Sequence, residues 1–388
     1  MAEVLSDSGI KPIAFYLPQF HAIPENDNAW GKGFTEWTNV KKAVPLFEGH
    51  YQPHVPIGNN YYNLLDDEIR IWQSNLAQQY GVFGFCYYHY WFKDGKKLLE
   101  QPAERMLPDQ RVTIPFCFSW ANENWARNWD GAYTDIIVEQ DYGGEEEWRQ
   151  HFEYLLPFFS DDRYITLDEK PIFIIYRPEL IPNLAEMIAF WNTLAKEHSF
   201  KGICFISQFP DWYYSPNTRK DLFDYHIQFE PLFTRSGKRL GGVYSKIGPV
   251  YKLLETIRCG YGDKLVVALR KLNDRLRNGR KDGNGPIEIP YKAFSRDMEK
   301  GIKDARLIPG AFCGWDNTPR KGKNGAVYFG NTPELFFEQL KAAADRADSI
   351  HMPLLFINAW NEWGEGAHLE PDLRYGYDFL EMVKRVSK

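Results

Sequence analysis

Two glutamates three positions apart, Glu362 and Glu365, stand in the segment Trp360-Asn361-Glu362-Trp363-Gly364-Glu365-Gly366. A pair of carboxyl groups can supply the acid, base or nucleophile that breaking a glycosidic bond needs. Gly364 and Gly366 allow a backbone turn that residues bearing a Cβ resist, and such a turn aims both carboxylates into one pocket. Trp360 and Trp363 make that pocket apolar and aromatic. Two close carboxyls in such surroundings do not ionise equally easily, so one is expected to carry a raised pKa and serve as acid. The plainer reading, a solvated loop with two glutamates, fits the flanking tryptophans poorly.

Other groups suited to a sugar follow apolar runs elsewhere in the chain. Tyr16, Gln19 and His21 come at or after the first run. His89 and Trp91 close the second, and Trp120, Asn122, Glu123 and Trp125 the third. Tyr176 and Arg177 close the fourth, Gln208 and Asp211 the fifth, Gln228 and Glu230 the sixth. Trp315 and Asp316 close the seventh, and Trp360, Asn361 and Trp363 the eighth. Amides and histidines direct hydrogen bonds at hydroxyls, and a flat aromatic face matches the C–H face of a pyranose. Glu123 has three readings: a third catalytic carboxylate, a hydroxyl ligand, or a salt-bridge partner of Arg127. His89 is either a satisfied core histidine or a rim ligand. His21, in a turn-rich stretch between Pro18 and Pro24, reads equally as an exposed loop residue.

The elements that would position these residues are eight runs: Ile13–Leu17, Gly81–Tyr90, Ile114–Trp120, Pro171–Tyr176, Gly202–Ser207, Phe223–Phe229, Gly310–Trp315 and Leu354–Trp360. Most are continuously apolar, as parallel strands buried on both faces are. Helix-like stretches alternate with them: Asp66–Tyr80, Glu145–Phe159, Asn183–His198, Pro333–Asp348 and Tyr375–Val386. This alternation predicts an α/β fold, a (β/α)₈ TIM barrel over residues 1–388, with an open doubly wound sheet as the alternative. Active sites of such barrels form at the C-terminal ends of the strands, where the residues named above lie. The connection over about 230–309 is long enough for an inserted helical, basic subdomain between strands 6 and 7, with helices at 250–258 and 264–277. Its stretch 251–281 carries nine Lys/Arg against three Asp/Glu. That stretch is a solvated helix face or a contact for an anionic glycan, a diphosphate-linked lipid or a membrane surface.

The 388 residues include 13 Trp, 23 Tyr and 27 Phe, an excess that fills a large core or lines a sugar groove. A net charge of −6 argues against a nucleic-acid binder. The five cysteines form no CxxC; Cys86, Cys117, Cys204 and Cys313 lie in apolar runs and are expected as buried small hydrophobes. Odd, unpaired cysteines suit a reducing compartment, and neither a signal peptide nor an apolar run of membrane-spanning length is visible. A cytoplasmic protein is the expectation. The dispersed histidines match no zinc-ligand spacing, so no metal site is evident and no cofactor is expected, with a single divalent ion held by rim carboxylates as the alternative.

Several long motifs give the chain a family resemblance. They are Ile13-Ala14-Phe15-Tyr16-Leu17-Pro18-Gln19-Phe20-His21, Gly33-Phe34-Thr35-Glu36-Trp37-Thr38-Asn39-Val40, Tyr88-His89-Tyr90-Trp91-Phe92, Trp120-Ala121-Asn122-Glu123-Asn124-Trp125 and the segment around Glu362. With these the chain resembles the WbsX-type proteins, which accompany bacterial polysaccharide and O-antigen genes and are labelled glycosyltransferases. That family is in turn similar to glycoside hydrolase family 99, endo-α-mannosidases with (β/α)₈ barrels and a Trp-Asn-Glu-Trp-His-Glu-Gly segment. The resemblance implies that Glu362 draws the proton from a sugar 2-hydroxyl, which attacks C1 to give a 1,2-anhydro intermediate. It implies that Glu365 is the general acid and then the base, and adds Trp37 to the substrate-binding set. Gly364 stands where those hydrolases have His, which detaches mannose specificity from the reaction type.

The residues lean to a hydrolase, and together with the resemblance they imply a retaining, endo-acting hydrolase or transglycosylase on a bacterial polysaccharide. Neither an Asp-x-Asp nucleotide-sugar signature nor a complete Gly-rich phosphate loop is present. The runner-up is a true glycosyltransferase, marked by dependence on a nucleotide sugar. A non-catalytic glycan-binding barrel, in which Glu362 and Glu365 are dispensable, is third.

Overall fold

The structure, a computed structural model, describes residues 9–127, 132–208, 220–235 and 285–387, apart from 297, 299–301 and 303. Each of the eight apolar runs contains a strand: β1 (Lys11–Tyr16), β2 (Gly84–Trp91), β3 (Phe116–Trp120), β4 (Lys170–Ile175), β5 (Cys204–Ser207), β6 (Tyr225–Ile227), β7 (Leu307–Ile308 with Gly310–Phe312) and β8 (Leu354–Asn358). All neighbouring pairs are parallel. Pro309 splits β7, since a proline has no N–H to give the ladder. The first piece pairs with β6 and the second with β8. The sheet therefore closes on itself, and the open doubly wound alternative is excluded.

The five expected helices form as Asp67–Gln79, Glu145–Phe159, Leu184–Glu197, Pro333–Ser349 and Asp378–Val386. Asp66 and Thr332 start two of them by accepting hydrogen bonds from backbone N–H groups of the first turn. Their apolar faces, such as Trp148, Phe152 and Leu155, pack on the outside of the barrel in one continuous core. Cys86, Cys117, Cys204 and Cys313 are free and buried, as expected. Among the described residues no helix is long and apolar enough to cross a membrane.

Strand pleating sorts the candidate residues into two populations, because successive side chains point to opposite faces. Inside the barrel, Phe15 of β1 meets Tyr88 of β2, Phe229 beyond β6 and Phe356 of β8, with ring centroids 5.7, 5.0 and 5.5 Å apart. Outside it, His89 meets His151 of helix Glu145–Phe159, Nε2 to Nε2 at 2.8 Å. Trp91 stacks on the same His151 at 4.5 Å.

The connection between β6 and β7 returns to the barrel at its C-terminal end. Ile287–Pro290 pairs in parallel with Ala326–Phe329. Tyr291 and Phe294, of the short helix Tyr291–Ser295, pack with Phe312, Trp315 and Tyr328. Asp211, Cys259, the two expected helices and the basic stretch 251–281 lie outside the described residues.

Candidate active site

Beyond β8 the chain folds back on itself. Asn361–Glu362 pairs antiparallel with Ala367–His368 across the single turn Trp363–Glu365. Gly366 ends that turn at φ 60°, a left-handed conformation natural to glycine. Asn361 ties this hairpin to β1. Its Oδ1 accepts from Leu17 N at 2.7 Å and its Nδ2 donates to Leu17 O at 3.0 Å. Beneath the turn, the buried Glu370 carboxylate accepts from Trp363 Nε1 (2.6 Å), Tyr62 Oη (2.7 Å) and Gln73 Nε2 (2.6 Å). Burial pushes the Glu370 carboxyl up to about 7, against the hydrogen bonds that favour its charge.

The two glutamates meet at Arg320, on the short helix Thr318–Lys321 after β7. Its NH2 lies 2.8 Å from Glu362 Oε2 and its NH1 2.9 Å from Glu365 Oε1. Its Nε donates to Glu36 Oε1 at 2.9 Å. Glu36 opens the helix Glu36–Lys42 and is fully buried, its backbone held by Gln19 O. One guanidinium thus gathers three carboxylates from two distant parts of the chain. Gly364 is part of the same packing: a Cβ there would lie 1.8 Å from Glu36 Oε1. The space a side chain at 364 would need is taken by the Glu36–Arg320 pair. Gly364→Ala is therefore expected to break that pair and lower stability by about 1–3 kcal/mol, measured by urea unfolding; an unchanged midpoint would show that Glu36 moves aside freely.

Burial, with the neighbouring Glu365 and Glu36 charges, pushes the Glu362 carboxyl up to about 8 against the opposing pull of Arg320. Burial also opposes the Arg320 charge, but its three carboxylates outweigh it and raise its pKa. Tyr88 and Tyr90, which point into the barrel, sit close enough to feel the Glu362 charge, and Tyr176 feels that of Glu365.

The other predicted residues divide by where their side chains go. Gln19 donates to Tyr90 Oη at 3.1 Å, and Gln208 to Tyr88 Oη at 3.1 Å, so both hold the inner tyrosines. Trp125 packs edge-on against Tyr90 at 5.1 Å and is half-buried. Glu123 pairs with Arg177 at 2.6 Å rather than with Arg127, and the two stay partly exposed near Tyr176.

A second group is absorbed by the scaffold. The Asn122 amide exchanges bonds of 2.8 and 2.7 Å with the Arg177 backbone, leaving little for a ligand. Tyr16 donates to Gln73 behind the barrel wall. His89, Trp91 and Trp120 surround His151 on the outer face; burial pushes His89 down to about 3, and it is a satisfied core histidine. His21 is buried, not an exposed loop residue, with Nδ1 at the Ala22 carbonyl. Trp37 and Trp363 pack on each other at 5.4 Å, and Trp360 packs on Phe85. Gln228 and Glu230 bond each other, and Glu230 also takes Thr234. Trp315 lies in the cluster around Phe312. Asp316 accepts from His50, Gln52 and Thr318. These buried rings offer no open stacking face.

Reading residue types missed Arg320, Glu36, Tyr88, Tyr90 and Glu370. Glu36 stands in a motif of the family resemblance, and counting alternately along β2 from Phe15's partner would have selected Tyr88 and Tyr90 over His89 and Trp91. A cavity of about 1380 Å³ lies at the other end of the barrel beside Ile10 and Pro353, away from these carboxylates.

Three comparisons set this geometry among known proteins. The sequence profile described as Glycosyltransferase WbsX matches residues 12–383. A Xanthomonas campestris pv. campestris protein, described as uncharacterized protein WxcX, is 34% identical over 381 residues, covering 96% of this chain and 49% of its own length. Its counterpart from strain B100 matches to the same extent. The chain thus spans about half the length of the curated relatives it matches. A glycoside hydrolase family 99 endo-α-mannosidase from Bacteroides thetaiotaomicron superposes with a TM-score of 0.53 at 14% identity, covering 97% of this chain and 95% of that one. A structure described as a glycoside hydrolase-like protein reaches 0.56 at 13% identity, covering 98% and 95%. The structural likeness agrees with the barrel, and the match over nearly the whole sequence shows that this chain belongs to the WbsX glycosyltransferase family.

Proposed function

We propose that the protein is a carbohydrate-active enzyme acting on a bacterial polysaccharide such as an O-antigen, capsule or exopolysaccharide, as a retaining, endo-acting glycoside hydrolase or transglycosylase. The observation that carries this reading is the pair Glu362 and Glu365 on one guanidinium beyond β8, where barrel enzymes keep their chemistry. In the first step Glu362 takes the proton of the sugar 2-hydroxyl, the 2-oxygen attacks C1, and the bond from C1 to the leaving oxygen breaks. Glu365 gives its proton to that oxygen. In the second step Glu365 takes a proton from water or an acceptor hydroxyl, which opens the 1,2-anhydro ring at C1, and Glu362 returns the proton to the 2-oxygen. Tyr88, Tyr90, Trp125 and Tyr176 would form the aromatic wall of the sugar site, with Glu123 and Arg177 at its edge. The basic stretch 251–281 remains the proposed contact for an anionic glycan or membrane surface.

The family's name favours a second reading, a glycosyltransferase using a nucleotide sugar. Its mark would be product formed only when a nucleotide sugar is supplied.

The pH dependence tests the role of Glu362. A base must be ionised, and the Glu362 carboxyl holds its proton up to about 8 in the free protein. Glu365 must keep its proton while Glu362 is ionised, so the kcat/KM for polysaccharide is expected to follow a bell with one limb near that value. A kcat/KM that is flat through that pH would take Glu362 out of the proton transfers.

A further inference from the structure

Across the Gly366 turn from Arg320, two chain segments from opposite ends of the sequence lie backbone to backbone. Ile57 N donates to Pro371 O at 3.0 Å, and Leu373 N to Val55 O at 2.9 Å. This pairing sets His54 beside Asp372. His368 comes from the hairpin strand opposite Asn361, and its ring stacks on Trp363 at 3.7 Å. His54 Nδ1 faces His368 Nε2 at 2.9 Å. The ligand atoms of His54, His368 and Asp372 all lie within 4.8 Å of one another.

Their surroundings orient each group as a ligand would be oriented. His368 Nδ1 is 3.0 Å from the Glu370 carbonyl, a contact that places the ring proton on Nδ1 and leaves a lone pair on Nε2, toward His54. Asp372 Oδ1 accepts from the backbone of Arg374 (3.0 Å) and Tyr375 (2.7 Å), which fixes the carboxylate and leaves its second oxygen outside those bonds. His368 and Asp372 are buried and His54 is half-buried, so the cluster has a route from solvent. Two imidazole nitrogens and one carboxylate oxygen, with a fourth position open, form a donor set that zinc and similar first-row divalent ions favour.

We infer that His54, His368 and Asp372 form a binding site for one divalent transition-metal ion of the zinc class. The ion would brace the loops 54–57 and 368–373 against Trp363, directly behind the carboxylate hairpin. The inference is independent of whether the enzyme hydrolyses or transfers.

The test is zinc binding by the whole protein, stripped with a chelator and titrated with zinc against a chromogenic competitor. One zinc per chain is expected, with His54→Gln and Asp372→Asn each weakening affinity by about tenfold or more. His351→Gln, on an exposed turn elsewhere, is expected to bind as the parent does. If a substitution unfolds the protein, cobalt(II) added to the parent gives a second readout. Visible bands of a four-coordinate ion, removed by one equivalent of zinc, are then expected. No stoichiometric zinc, unchanged affinity in both variants, or cobalt without such bands would overturn the site and leave the histidines joined by an N–H···N bond alone.

Discussion

Glu365→Gln is expected to lower kcat by a factor of about 10²–10⁴, the usual contribution of a positioned general acid. Glutamine keeps the size of the side chain and removes the transferable proton, together with the negative charge that faces Arg320 at 2.9 Å. The substitution leaves the turn itself intact, because the Glu365 backbone carbonyl still accepts from Asp316 N at 2.6 Å. Glu365 is also the more accessible member of the pair, its side chain 20% exposed against 8% for Glu362. The variant should therefore keep its melting temperature and its oligosaccharide affinity, read by calorimetry, while turnover disappears. Wild-type turnover in Glu365→Gln would remove Glu365 from the mechanism.

Arg320→Met is expected to cost about 3–5 kcal/mol of folding stability, the penalty for taking one partner out of a buried charge network. Methionine fills much of the same volume, so the loss reports charge rather than a cavity. Glu36 and Glu362 would be left in the interior with no cation at 2.9 and 2.8 Å. The sign of the pH effect follows. Arg320 holds the Glu362 pKa down against burial, so without it the carboxyls take up protons more readily, and protonated carboxyls no longer need the cation. The deficit should thus be larger at pH 8 than at pH 5. Urea unfolding at the two pH values measures both quantities. A loss below about 1 kcal/mol at pH 8 would mean that water, not Arg320, stabilises the carboxylates.

What could be read from the residues alone was set by periodicity. Continuous apolar runs such as Pro171–Tyr176 located buried strands, and the glycine-flanked glutamates located the turn that brings two carboxylates to one point. The cation between them was not legible. Arg320 lies 42 positions from Glu362, and Glu36 lies 284 from Arg320, so only closure of the barrel brings them together. Nor did residue type separate working aromatics from structural ones. His89 and Tyr90 are adjacent in β2, yet pleating sends one to His151 and the other toward Glu362. Asn122 and Asn361 have the right chemistry for sugar hydroxyls, but each closes the gap between neighbouring strand ends through backbone N–H and C=O groups. Gly364 makes sense only with its neighbours in place. Where the mannosidase segment has His, this chain fills the space from the other side with Glu36 and Arg320.

The most direct test of the central claim is to incubate the purified protein with a panel of bacterial polysaccharides, with and without nucleotide sugars. Products are read by mass spectrometry, with Glu365→Gln as control. Shortening of long chains to oligosaccharides, or their rearrangement, in the absence of any nucleotide and absent in the Glu365→Gln control is the predicted result. Product that appears only with a nucleotide sugar, accompanied by released nucleotide, would contradict it and assign the carboxylate pair to a transferase.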